Sequence, residues 1–125
     1  MKNLVLLLSL LVCHYIGDYC LTFPALVRAK AGGRDLWPIL QHAGIHGLLL
    51  GVCLLLFGMP LPWTMLMAGV EIASHFCIDT AKARISVRFP LLADPNQKPY
   101  WMLYGFDQLL HLSIIVAIGY DCGMI

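Results

Sequence analysis

Glu71-Ile72-Ala73-Ser74-His75-Phe76-Cys77-Ile78-Asp79 places three ionisable side chains at four-residue intervals in a largely apolar run. Residues four apart on a helix stand one turn above another on a single face. The interval recurs in His14 with Asp18, His42 with His46, and Asp107 with His111, so every histidine of the chain belongs to such a pair. Ionisable groups are costly in an apolar helix unless they meet partners, which makes these pairs a functional hypothesis.

The surrounding composition decides where these helices lie. The chain has 125 residues, 60% of them hydrophobic and only 12% charged, and its mean hydropathy is +0.80. A soluble domain carries about twice that share of charge. The pattern describes an all-α polytopic membrane protein of one domain, residues 1–125. A net charge of +1 with no basic face excludes nucleic acid as a partner. Five cysteines, Cys13, Cys20, Cys53, Cys77 and Cys122, lack C-x-x-C spacing and read as small core residues.

Four apolar stretches are each near the ~20 residues that span a bilayer, at about 3–23, 37–57, 63–85 and 100–120. The first follows Met1-Lys2-Asn3 and has the look of a signal peptide, but a small-residue cleavage site is missing before Cys13 and cleavage would remove the first His/Asp pair. It reads instead as the first transmembrane helix, ending near Pro24. Residues 24–36 form a basic, glycine-containing connection. Gly58-Met59-Pro60-Leu61-Pro62 is a tight uncharged turn, and residues 86–99 form a second long connection. Gly47 and Gly51 make a G-x-x-x-G face for close helix approach. Trp37, Trp63 and Trp101 read as interfacial anchors.

Seven of the eight basic residues, Arg28, Lys30, Arg34, Lys82, Arg84, Arg88 and Lys98, lie in or beside the two long connections. Both connections are therefore expected in the cytoplasm, with both termini outside, in a multi-pass protein of the inner membrane.

An antiparallel four-helix bundle then makes a geometric demand. Side chains meet at one depth only if the motif reverses between descending and ascending helices, and the carboxylates obey this: His precedes Asp in the first and third helices and follows it in the fourth. At 1.5 Å per residue, Asp18, His42, Asp79 and Asp107 fall roughly 8–10 Å from the cytoplasmic ends. His14, His46, His75 and His111 fall roughly 14–16 Å in, with Glu71 one turn deeper. The halves also correspond, each being helix, basic connection, helix, which suggests a duplicated hairpin related by an axis along the membrane normal.

Imidazole and carboxylate together suit zinc, with manganese or iron as alternatives. Eight candidate ligands, His14, Asp18, His42, His46, His75, Asp79, Asp107 and His111, exceed the four of one tetrahedral ion, so two divalent ions per chain is the economical reading. A two-metal centre activates water and stabilises both oxygens of a displacement. The bland alternative for any one pair is a structural hydrogen bond between helices. Glu71 reads as a general base, as a carboxylate that orients a ligand, or as a lone protonated acid. Asp18, Asp79 and Asp107 are the other candidate proton acceptors. Gln108 reads as a residue that supports the ligands. Lys82 and Arg84 are most simply positive-inside residues, though with Lys30 they stand where an anionic substrate would enter.

The combined motifs, His14-x-x-x-Asp18, His42-x-x-x-His46, His75-x-x-x-Asp79-x-x-Lys82 and Asp107-Gln108-x-x-His111, resemble domain-of-unknown-function family 3307, small four-helix membrane proteins of bacteria and phages. The resemblance covers essentially the whole chain and implies no activity. A more distant likeness to membrane-bound metal-dependent hydrolases implies hydrolysis. The expectation is a membrane-embedded two-metal hydrolase with a cytoplasm-facing site, acting on an ester or phosphoester, with a lipid-linked substrate as one form, the bilayer as partner and a homo-oligomer as an open alternative. The competing readings are a zinc-type transporter and a structural subunit stapled by metal.

Overall fold

The computed structural model describes residues 2–123. The expectation that both chain ends lie outside the cytoplasm falls partly on Met1, Met124 and Ile125, outside the described residues. Every regular element among those described is helical: α1 (Lys2–Tyr15), α2 (Pro24–Gly32), α3 (Trp37–Leu56), α4 (Leu61–Arg88) and α5 (Lys98–Gly123). A π-helical turn, Ile16–Cys20, continues α1, and a 3₁₀ turn, Pro90–Leu92, follows α4.

The four long helices form an antiparallel ring. α1 packs on α3 and α5, and α4 packs on α3 and α5. The corresponding helices of the two sequence halves, α1 with α4 and α3 with α5, therefore stand diagonally, as a twofold axis along the bundle requires. The α3–α4 contact is the closest. A Cβ added at Gly47 would overlap Ile72 and lie 3.1 Å from the carbonyl oxygen of Ala68, so the glycine face permits this approach.

Two apolar clusters close the ring at different heights. The larger gathers Leu6, Leu10, Leu50, Leu54, Met67 and Ile115 towards the end of the bundle where α3 turns into α4. The smaller joins Leu26, Ala29, Ile39 and Ala83 at the other end. The ionisable layer lies between them. The outside is apolar: Leu4, Leu48, Leu56, Met65 and Met102 are each more than 60% exposed. Polar interior and apolar exterior are the distribution that a hydrocarbon surrounding stabilises. Four helices are long and apolar enough to cross a membrane, at Asn3–Cys20, Trp37–Leu56, Leu61–Arg88 and Lys98–Cys122, and the chain is a membrane protein.

Several local expectations need correction. The first span does not run as one α-helix to Pro24. It passes into the π turn, in which Leu21 N–H donates to the carbonyl of Ile16 at 3.1 Å, and breaks before Pro24. The connection after it is not irregular. Pro24 opens α2, where its missing N–H is harmless. Gly33 closes it at φ 63° and donates to the carbonyl of Ala29 at 2.8 Å. α4 is longer at both ends than residues 63–85. Leu61 and Pro62 belong to its first turn, and its last turn is held by α2, where Gly33 abuts Ala83 and Val87. Cys20 and Cys77 face outward rather than into the core. Trp63 packs against the larger apolar cluster, whereas Trp37 and Trp101 stand exposed.

Candidate metal centre

Asp18 is the hub of the layer nearer α2. His42 Nε2 donates to Asp18 Oδ1 at 3.2 Å, and Gln108 Nε2 donates to Asp18 Oδ2 at 3.0 Å. His46 Nε2 is 3.1 Å from Oδ1, and His14 Nε2 is 3.4 Å from Oδ2. Asp18 can reach residues on α1, α3 and α5 because it projects from the π turn. That turn adds one residue to the helical repeat and swings the following side chain, a feature common at functional sites. The turn also brings Gly17 against His46: a Cβ there would stand 2.5 Å from the imidazole. Glycine at 17 thus reserves the space the ring occupies.

One turn deeper the four imidazoles meet, as the motif spacing predicts. Ring centroids of His46 and His75 are 3.8 Å apart, those of His75 and His111 4.1 Å, and those of His14 and His46 5.0 Å. Glu71 lies below them, with Oε1 3.4 Å from His75 Nδ1 and 4.0 Å from His46 Nδ1. The five histidines and Glu71 are buried, and Asp18 and Gln108 are half-buried.

Burial without partners is the chemical signature of the cluster. Neither ring nitrogen of His14 or of His75 has a hydrogen bond, and His111 Nε2 has none. Buried polar atoms are nearly always paired, because each orphan costs roughly 1–3 kcal/mol. His111 is informative in its other nitrogen. Its Nδ1–H donates to the carbonyl of Asp107 at 2.9 Å, which leaves the Nε2 lone pair facing inward. That is the arrangement that orients a ligating histidine. Three sets of donors converge with their atoms within 4.8 Å: His14, His46, Glu71 and His75; Asp18, His42, His46 and His75; and His75, Asp79 and His111. The donor chemistry, mixed nitrogen and carboxylate oxygen, fits zinc, manganese or iron.

Towards α2 the cluster meets two ammonium groups. Lys30 Nζ is 2.6 Å from Asp79 Oδ2, and Lys82 Nζ donates to Asp107 Oδ2 at 2.7 Å. Lys82 also lies over the Tyr104 ring, 4.6 Å from its centroid. A cleft of about 420 Å³, lined in part by Lys30, Asp79, Lys82, Ser86, Tyr100 and Tyr104, opens here. Beyond the histidines and Glu71, by contrast, lies the apolar cluster of Leu10, Leu50 and Ile115.

Most residues singled out in the sequence come together. Two, Asp107 and Arg84, stand apart from the converging donors. Asp107 is buried in the cluster wall but joins none of the three converging sets; its carboxylate accepts from Lys82 and, at 3.3 Å, from Gln108. Glu71 is among the donors, one turn beyond the histidines at the end away from the cleft. Arg84 is exposed and reaches neither the cluster nor the cleft. No motif marks Gly17, and the basic connection that carries Lys30 is helical where a loop is expected. The proline and glycine that bracket residues 24–33 were the available signal for α2.

No curated protein and no solved structure matches the chain. Residues 6–124 match the family described as a protein of unknown function (DUF3307), and with nearly its whole length covered the chain belongs to that family.

Proposed function

We propose that this protein is a membrane-embedded, metal-dependent hydrolase that holds two divalent ions and acts on an anionic ester or phosphoester. The observation that carries the reading is the group of buried imidazole nitrogens without hydrogen-bond partners, which converge with the carboxylates of Asp18, Glu71 and Asp79 behind a cleft that Asp79 lines. His14 and Glu71 would hold the deeper ion and Asp18 and His42 the shallower one, with His46 and His75 divided between them. His111 and Asp79 would complete the wall nearest the cleft. Zinc is favoured, with manganese or iron as alternatives. Such ions supply Lewis acidity and a water of lowered pKa.

The chain's own groups would do the rest. Lys30 and Lys82 draw an anion to the cleft. Asp79, between that cleft and the histidines, is placed to accept a proton from an attacking water. Gln108 fixes the carboxylates of Asp18 and Asp107 by donating to both. The basic residues of the connections lie at the cleft end, so that end faces the cytoplasm of an inner membrane by the positive-inside rule. The apolar closure beyond Glu71 counts against passage of ions through the chain, which is why hydrolysis is preferred to transport.

Elemental analysis of detergent-purified protein, with turnover of a generic aryl phosphoester before and after chelation, tests the reading. Two ions per chain and chelator-sensitive turnover, both lost in His75→Ala, are expected. Protein without metal, or turnover that survives full chelation, would defeat it.

A further inference from the structure

Lys82 lies at a junction. On one side it lines the polar cleft with Lys30 and Asp79. On the other it lines a groove of about 280 Å³ between α4 and α5, whose walls are almost wholly apolar: Ile78, Ala81, Ile85, Leu103, Phe106 and Leu110. Phe106 and Leu110 belong to the exposed apolar belt, so the groove opens sideways towards hydrocarbon rather than towards water. A second apolar groove, between α1 and α3 around Val5, Val12, Leu49 and Val52, has no charged residue on its rim. Of these two grooves, the α4–α5 one ends on an ammonium group that also borders the candidate centre.

We infer that this groove and cleft together form the binding site of a phosphate-bearing lipid, its hydrocarbon chain along α4 and α5 and its phosphate between Lys82 and Lys30. The two volumes fit the two halves of such a molecule, and their shared wall is the residue whose charge suits the join. The inference rests on the metal reading, which it deepens. Lys30 and Lys82 now neutralise Asp79 and Asp107, so the entrance has no net charge to offer an anion. Asp79 Oδ2 stands 3.9 Å from His42 Nε2 and 3.6 Å from His75 Nε2, so ions held by these histidines would offset its carboxylate in place of Lys30 and leave the entrance positive. Lipid phosphate then meets Lys30, Lys82 and the phenols of Tyr100 and Tyr104. Substrate would enter from within the bilayer, beside the reacting centre, without leaving the membrane.

The test uses purified full-length protein in nanodiscs, loaded with zinc, with metal content measured on each sample. The probes are phosphatidic acid, phosphatidylcholine and inorganic phosphate, and bound species are read by native mass spectrometry. Phosphatidic acid is expected to bind at least tenfold more tightly than phosphatidylcholine. Lys82→Met should weaken phosphatidic acid about tenfold, close to the loss of one charge-assisted contact. Ala81→Trp fills the groove from an exposed position. It should weaken phosphatidic acid while leaving inorganic phosphate binding and metal content unchanged. Equal binding of inorganic phosphate and phosphatidic acid, indifferent to Ala81→Trp, would overturn the lipid site in favour of a soluble phosphate. Metal-bearing protein with no preference among the probes would overturn it alone. Metal-free protein that still prefers phosphatidic acid would defeat the metal reading and leave the lipid site standing.

Discussion

Gly17→Ala is a one-carbon change at a residue that binds nothing itself. The new Cβ would stand 2.5 Å from Cε1 and Nε2 of His46 and 2.9 Å from Nδ1. Ordinary carbon contacts begin near ~3.5 Å, so the ring must withdraw by about 1 Å. Retreat is obstructed, because the centroids of His75, His42 and His14 lie 3.8, 4.7 and 5.0 Å away. A metal–ligand distance tolerates only about 0.2 Å. We therefore expect metal affinity to fall ~10–100-fold, the range found when a ligand's supporting contacts are disturbed. That is about 1.4–2.7 kcal/mol of binding, alongside an overpacking cost of roughly 1–3 kcal/mol in stability. Chelator competition gives the first quantity, and thermal melting of metal-free protein in detergent gives the second. Gly44→Ala is the control: a Cβ there meets nothing within 4 Å, and helix propensity favours alanine by up to ~1 kcal/mol. If Gly17→Ala matches Gly44→Ala in metal content and melting, His46 is not packed against the π turn as described.

Other perturbations separate the parts of the structure. His75 belongs to all three donor sets and Asp107 to none, so His75→Ala should empty the site while Asp107→Asn keeps its full metal content on elemental analysis. Gly47→Ala should lower melting by the equivalent of ~1–3 kcal/mol through its overlap with Ile72, and Ile72→Ala in the same chain should recover part of the loss. Asp94 lies outside the spans. Hydrogen bonds from the Asn96 backbone N–H and side chain, both 2.9 Å, hold its carboxyl below the usual carboxylate range. Its contribution is therefore complete above the unfolded pKa of about 4 and lost as pH falls through the lower folded value. Amide exchange at Asn96, corrected for intrinsic rate, should accelerate over that acid window and be insensitive to pH between 6 and 8; Asp94→Ala should remove the acid dependence.

The sequence carried the spans and the layering of the site because both depend on simple periodicities. A run of apolar residues near bilayer length admits few structures, and the i, i+4 pairs of Glu71, His75 and Asp79 leave one helical face. The bend at Ile16–Cys20 was not legible. A π turn inserts one residue into a regular repeat, and no residue type marks the insertion. Its effect was tolerable because Asp18 still meets His14, but Gly17 acquired a role that no spacing rule assigns. α2 was obscured by its shortness and its mixture of Arg28 and Lys30 with alanines, which reads equally as a basic loop. The pairing of Asp107 with Lys82 was not legible for a different reason. Its depth was correct, yet depth does not say whether a carboxylate turns towards the histidines or towards Lys82.

The apolar packing beneath Glu71 among the described residues has an electrical corollary. A cation reaching the histidines from the cleft traverses only part of the insulating layer and must return by the way it came. The transmembrane potential acts on each elementary charge with about 2.3 kcal/mol per 100 mV over the full thickness. Only a fraction of that is felt in a blind well. Metal occupancy of the proposed centre should accordingly respond weakly to an imposed voltage, and ions held there should carry no steady current.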